Sequence, residues 1–435
     1  MPGGSRPRAA VRLALLASAL GTGAAAQEEM EAVSLEQAVE RAMLHSPQLA
    51  QTQAGVINAG STRRRAWGSF LPTVSMSSGA SVNSRDRFDP NTQRVVTGSS
   101  DSYSAGVSAN YQLFQGGRKY AELGRTRAAE LEAEARLLTQ RYSVVLQTGT
   151  LFVNALRQAD LVAVAEASVA RAEESLEITR ARIRVGGATR SDTLRTRLEL
   201  ANARQSLLQS RNQLRATRFA LGRQVGVSGP VLPIAPDNLD PAPLALSEAE
   251  IVALAESRSP AVRVAEAAAS VAESSLESAR SSYLPSLSAS SSYSWQNQEL
   301  ALDGGNRSWS IRINGSYQLF DGFAREQSVG QASQGRRVAR LTEEDARRGV
   351  RQDVDAALRT IETQEEAIAI AVEAREVAVE DLRLNRVLYD NDAAPILDVI
   401  TSQVALDQAE ANLVAARYDY ALARAELESI IGREL

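Results

Sequence analysis

Two kinds of hydrophobic pattern divide the chain. In four segments, polarity switches at every residue. Val74, Met76, Ala80 and Val82 interleave with Thr73, Ser75, Ser77 and Ser81, and Tyr103, Ala105, Val107, Ala109, Tyr111 and Leu113 with Ser104, Gly106, Ser108, Asn110 and Gln112. Leu287, Ala289, Tyr293 and Trp295 alternate with Ser288, Ser290 and Ser294, and Trp309, Ile311, Ile313, Tyr317 and Leu319 with Ser310, Arg312, Asn314, Ser316 and Gln318. A period of two is the signature of a strand with unlike faces. It predicts strands at about 73–84, 101–114, 286–296 and 308–319. The stretches after each strand pair are rich in Ala, Leu, Glu, Arg and Gln, and no proline falls between Asn91 and Gly229. These strong helix formers predict a long hairpin at about 118–226, turning at Gly186-Gly187-Ala188, and a second at about 324–432, turning near 391–395. The first arm of each would reach roughly 100 Å at 1.5 Å per residue.

The chain is a duplication. Residues 33–82 and 246–295 run in parallel at an offset of 213: Ser46-Pro47 matches Ser259-Pro260, and Phe70-Leu71-Pro72 matches Tyr283-Leu284-Pro285. From Tyr111-Gln112-Leu113-Phe114-Gln115-Gly116, which matches Tyr317-Gln318-Leu319-Phe320-Asp321-Gly322, the offset is 206, and it holds through Asp192/Asp398 to Gly226/Gly432. The extra residues of the first half fall in the loop between its two strands. One structural unit is therefore used twice: residues 27–228 and 246–435, each reading helix, two strands and a long helical hairpin, joined by the Pro-rich linker 229–245.

Composition narrows the functions. With no cysteine there is no disulfide, thiolate zinc site, thiol nucleophile or lipidated cysteine, and the single histidine, His45, reads as a satisfied surface or packing group rather than a ligand. The net charge is −4 and Lys119 is the only lysine. No basic stripe favours nucleic acid. Arg6, Arg8 and Arg12, an apolar run at 11–20 and Ala24-Ala25-Ala26 read as a signal peptide over 1–26, whose removal takes the charge to −7. No metal cluster, phosphate loop or nucleophile constellation supports an enzyme, and no cofactor is expected.

Strands of about ten residues suit a tilted crossing of an outer membrane. Tyr103, Tyr111, Trp295, Trp309 and Tyr317 would be its interfacial anchors in contact with outer-membrane lipid. Four strands cannot cross alone, because each edge would leave unpaired N–H and C=O groups in hydrocarbon. Two copies would give eight strands and three would give twelve; residue physics alone does not choose. The soluble alternative is a periplasmic adaptor or structural coiled-coil protein.

The duplicated plan, Leu35 to Ala38 as an early Leu-x-x-Ala element, the paired Leu-Pro and Leu-Phe-x-Gly motifs, the Gly-rich turn ending at Asp192, and return helices ending in Gly226 and Gly432 together resemble the TolC family of outer-membrane efflux and secretion channels. The resemblance covers nearly all of the chain after the signal peptide. It implies a mainly α fold with a transmembrane β portion: duplicated helical hairpins in a periplasmic α-barrel, and four strands per protomer in a twelve-stranded trimeric β-barrel. It also implies a homotrimer that receives substrates from an inner-membrane RND or ABC transporter through a periplasmic adaptor. The family's gate lies at the periplasmic turns, here residues 184–192 and 389–398. By motif, Tyr389 and Asp398 fall on the constricting inner coil and Asp192 on its neighbour. Both aspartates also sit in the first turn of a helix, where a carboxylate stabilises free N–H groups without any role in a pore. Asp392, Ala394 and Thr401 depart from residues common at the family's gate.

Overall fold

The computed structural model describes residues 30–89, 91, 93–235, 244, 246–301 and 303–433. The expected signal peptide and part of the linker lie outside them. Each half opens with two helices rather than one. In the first, α1 (Leu35–His45) meets α2 (Pro47–Gly68) at Ser46; in the second, α5 (Glu248–Arg258) meets α6 (Pro260–Arg280) at Ser259. The break has a local cause. Proline at the first position of α2 and α6 has no N–H for the preceding turn, and it holds the residue before it out of helical backbone. Ser46 is extended, at ψ 115°, and its hydroxyl accepts from the Leu49 N–H as the cap of α2.

Two arms of equal length follow the strands. α3 (Arg118–Arg184) and α7 (Ala324–Asp390) each have 67 residues, and α4 (Arg190–Gln224) and α8 (Ile396–Ile431) return along their lower parts. α2 and α6 pack beside the upper parts, so α3 and α7 are flanked along most of their length. Small buried residues let the axes approach: Ala121, Ala128 and Ala135 recur every seven residues on α3. Buried Thr148 and Thr179 return their hydroxyls to the carbonyls of Val144 and Ser175, at 2.7 and 2.8 Å, so neither hydroxyl is orphaned in the seam.

Midway down the helices, the three-residue strands β1 (Glu31–Val33) and β4 (Val231–Pro233) pair in parallel. Val33 and Val231 close over Phe152, Leu221 and Tyr418, while Ile251 and Val262 cover Val354, Leu427 and Ile431 in the second half. His45 belongs to this belt. Its Nδ1 lies 2.9 Å from the Arg41 carbonyl, and its ring fills the space where a Cβ on Gly226 would stand, 2.5 Å from Cγ.

The remaining strands, β2 (Thr73–Asp89), β3 (Arg94–Gln115), β5 (Ser286–Asn297) and β6 (Asn306–Ser316), form one antiparallel sheet in the order β2-β3-β5-β6. The first pair runs past the expected 84 and back from 94, and the alternation lapses there. β6 stops at Ser316, short of the expected 319. Ser316 pairs with Ser286, and the next residue down β5's side is Pro285, which ends the ladder. Tyr317 therefore lies just beyond the strand, not on it. A bulge between Gln112 and Phe114 keeps β3 in step with β5 as far as Gln115.

Candidate functional site

Register sorts the sheet into two unlike faces. Thr73, Asn110 and Ser290 share a row with Arg312; Ser75, Ser108, Ser292 and Ser310 share the row that follows it toward the loops. Serines on this face pair across strands, Ser75 with Ser108 at 2.8 Å and Ser294 with Ser308 at 2.7 Å. The opposite face carries Val74, Met76, Val107, Tyr293, Trp309, Ile311 and Ile313, all exposed, with Met76 at 78% and Trp309 at 75%. Among the described residues no helix or second sheet covers this apolar surface, and β2 and β6 each have one edge without a partner strand. A large bare apolar face with open edges is untenable in water.

Four of the five expected anchors lie on the apolar face. Tyr111 is level with Ala289, Trp309 with Tyr293, Trp295 with Ala105, and Tyr103 with Asn297. From the row of Ala289 to that of Asn297 is about 27 Å of strand, which at a tilt of about 40° covers about 20 Å, most of an outer-membrane apolar band. Trp295 donates its indole N–H to the Gly304 carbonyl at 3.0 Å. Tyr317, past the strand, is 55% exposed. A second group of aromatics was not singled out from the sequence because it breaks the alternation. Trp67, Phe70 and Tyr120 cluster through tilted and edge-to-face contacts at the foot of the first strand pair, and Phe320 meets Phe323 edge-on at 5.6 Å beneath the second. Lys119 lies over the Tyr111 ring at 4.4 Å and the Phe70 ring at 5.6 Å, and loss of water contact lowers its pKa.

At the far end of the helices, the two turns meet. Arg182, in the last turn of α3, donates from Nη1 to the Tyr389 carbonyl at 2.6 Å, pairs through Nη2 with Asp392, and stacks its guanidinium 4.6 Å from the Tyr389 ring centroid. Tyr389 is buried among Leu382, Ile396 and Val399. Asp392 holds φ +59°, a left-handed conformation that glycine adopts more easily, so the carboxylate comes at some backbone cost. Its N–H and that of Ala393 close the helix end onto Tyr389 and Leu388.

The two motif aspartates are not equivalent. Asp192 is held in a capping box: its Oδ2 accepts from the N–H and the hydroxyl of Thr189, both at 2.8 Å, while its own N–H donates to Thr189 Oγ1. Asp398 follows Pro395, which offers no side-chain cap, and its carboxylate is exposed with no hydrogen bond or ion pair to a described residue. Ala394 is partly buried and Thr401 returns its hydroxyl to the Leu397 carbonyl at 2.9 Å, so neither adds a charge here.

Contacts within each hairpin have an apolar core, Leu176 with Leu200 and Ala203, Leu382 with Val399 and Leu406, flanked by polar ties such as Arg204 to Glu173 and Asn385 to Ser402. Contacts between the hairpins are mainly polar. Arg171 on α3 reaches Asp407 at 2.6 Å and Glu410 at 2.9 Å on α8; Gln403 donates to Ser175 at 2.7 Å; the Tyr418 hydroxyl donates to Asp160 at 2.8 Å. Burial raises the Glu199 pKa, and the nearby Asp407 charge adds to it. The seam between the hairpins thus combines exchangeable polar bonds with one apolar cluster, Phe152 and Ala155 of α3 with Tyr418 of α8.

The pattern that defines outer membrane efflux proteins matches residues 38–227 and 251–433, most of the chain and both halves of the duplication. The chain belongs to the outer membrane efflux protein family. Protein CyaE of Bordetella pertussis is 28% identical over 69% of this chain and 63% of its own length, and outer membrane protein TolC of Vibrio cholerae is 23% identical over 96% and 94%. The Campylobacter jejuni CmeC outer membrane channel has the same fold, with a TM-score of 0.80 and 15% identity over 92% of this chain and 85% of that one. As a member of the outer membrane efflux protein family, the chain carries its sheet at the membrane and its helices in the periplasm. The Arg182–Asp392 pair was not found from the sequence because Arg182 is one of many arginines on α3; Asp392 in place of glycine was its only signal.

Proposed function

We propose that three copies close their sheets into a twelve-stranded β-barrel, and that the helical hairpins continue it as a tunnel to a gate at the periplasmic turns. One observation carries this reading. A four-stranded sheet that is apolar on one face and serine-rich on the other, with an open edge at each side, stands on helices about 100 Å long. Three such sheets satisfy every edge and leave a wet interior, because twelve strands are too many for side chains to fill. The duct serves as the exit of a tripartite efflux or type I secretion system, fed by an inner-membrane RND or ABC transporter through a periplasmic adaptor. Arg182, Tyr389 and Asp392 form the clasp that holds hairpin α7–α8 against α3–α4, and three copies of Asp398 form an acidic ring at the constriction. Asp192 supports the turn as a cap.

Single-channel recording of the purified protein in a planar bilayer tests this reading. Discrete, cation-favouring steps from a folded oligomer are expected. A folded protein that stays monomeric and enters neither detergent micelles nor bilayers would overturn it.

A further inference from the structure

Arg312 is the one charged residue on the polar face of the sheet among residues 73–83, 102–112, 286–296 and 306–316, where every other position on that face is Ser, Thr, Asn, Gln or Gly. Its side chain is exposed and makes no hydrogen bond or ion pair with a described residue. The surroundings are built to accept rather than to neutralise. Ser290, its cross-strand partner, and Asn314, its neighbour on the same face, line a cavity of about 570 Å³ with Thr73, Asn110, Gln112 and Lys119, and Arg312 stands next to this lining rather than in it. Arg118, exposed at the start of α3, borders the same cavity from below. Arg118 lies one turn from Glu122, but that carboxylate is already held by Arg125 through two hydrogen bonds, at 2.9 and 2.7 Å. The polar face of these rows contains no carboxylate.

We propose that Arg312, supported by Arg118, forms an anion-binding ring in the barrel lumen that takes multivalent oxyanions, groups bearing several phosphates or carboxylates. The inference rests on the trimeric barrel proposed above. Three guanidiniums converge on one axis, each presenting a planar fork of donors matched to phosphate and carboxylate oxygens. The serine and asparagine hydroxyls and amides beside them supply neutral donors that do not compete for the charge. A lumen lined by protein screens these charges less than open water does, so they act together on a ligand as wide as the pore floor. The ring has the opposite sign to Asp398 at the other end of the duct.

Calorimetric titration of inorganic tripolyphosphate into the intact oligomer in detergent at low salt tests the ring without requiring the gate to open. The expected result is one tripolyphosphate per three chains for the wild type. Binding should be at least about tenfold weaker for Arg312→Ser, as loss of several weakly screened charge contacts implies, and intermediate for Arg312→Lys, which keeps the charge but loses the fork. No binding by a wild-type oligomer of three chains, or binding that Arg312→Ser leaves unchanged, overturns the ring and leaves the channel intact. A protein that forms no trimer overturns the ring and the barrel together. Tripolyphosphate added from the loop side of a bilayer should also block wild-type current, with the same order among the variants.

Discussion

Arg182 and Tyr389 meet in two ways at once: the guanidinium donates to the tyrosine's carbonyl at 2.6 Å and lies over the tyrosine's own ring at 4.6 Å. The backbone and side chain of one residue at the end of α7 are thereby fixed by one cation at the end of α3. With Asp392 completing the pair, this is the last tie across the polar seam before the chain turns.

Removing it should loosen the gate. A charge-assisted hydrogen bond with a stacked cation contributes about 2 kcal/mol, which would shift a closed-to-open balance roughly thirtyfold. Arg182→Ala is expected to raise open probability in bilayer recordings by about that factor. Asp392→Gly should give a smaller rise, since it loses the ion pair but relieves the left-handed backbone. Equal, closed behaviour of both variants and the wild type would remove Arg182 from the gate.

The two aspartates should separate by readout. Asp398→Ala is expected to lower cation-over-anion permeability several-fold, with little change in melting, because the carboxylate has no partner among the described residues. Asp192→Ala is expected to leave selectivity alone and cost about 1 kcal/mol of helix-end stability through the lost capping box. Reversal potentials and thermal melts check both.

Glu199 predicts a pH effect. Burial and Asp407 raise its pKa above the ordinary carboxylate value, so the folded chain binds the proton more tightly than the unfolded one. Between the ordinary and the raised pKa, stability therefore falls as pH rises. Glu199→Gln should melt about 1–2 °C higher than wild type at neutral pH, a sub-kcal change for a chain this large, and the gap should close below the ordinary carboxylate pKa. A gap that persists at low pH would assign the effect to something other than the proton.

Strand exits differ between the repeats. Gly117 precedes α3 at φ +82°, while Phe323, its repeat mate, precedes α7 at φ +67°. A bulky side chain in that region costs about 1–3 kcal/mol. Phe323→Gly should relieve it, whereas Gly116→Ala should destabilise more strongly, because its Cβ would stand 2.2 Å from the Ser281 carbonyl. Melting of the two variants, read against each other, tests the assignment. A net loss for Phe323→Gly would mean that its contact with Phe320 outweighs the backbone term.

Long regular features were legible in the sequence. The proline-free, Ala-rich stretches place α3, α4, α7 and α8 within two residues of their observed ends, and alternation marks all four strands of the sheet. Features that depend on distant partners were not. Nothing local in Glu31–Val33 announces pairing with Val231–Pro233, about two hundred residues away. The Ser46-Pro47 and Ser259-Pro260 pairs were visible as a repeat, but not as breaks that split each opening helix. β2 and β3 extend where alternation fades, since a partner strand can hold backbone pairing that side chains do not signal. At the turns, position alone could not tell Asp192 from Asp398; Thr189 before one and Pro395 before the other decide it.

Lys119 offers a different use of the fold. It is the only side-chain primary amine in the sequence, it sits at the foot of the barrel strands between Phe70 and Tyr111, and desolvation keeps more of it in the neutral, nucleophilic form. Apart from the α-amino terminus, acylating reagents and aldehyde fixatives should therefore mark one level of the molecule and leave the side chains of the helical tunnel untouched. A dye coupled there would sit where lipid meets the periplasm in every copy, a built-in depth gauge for membrane insertion.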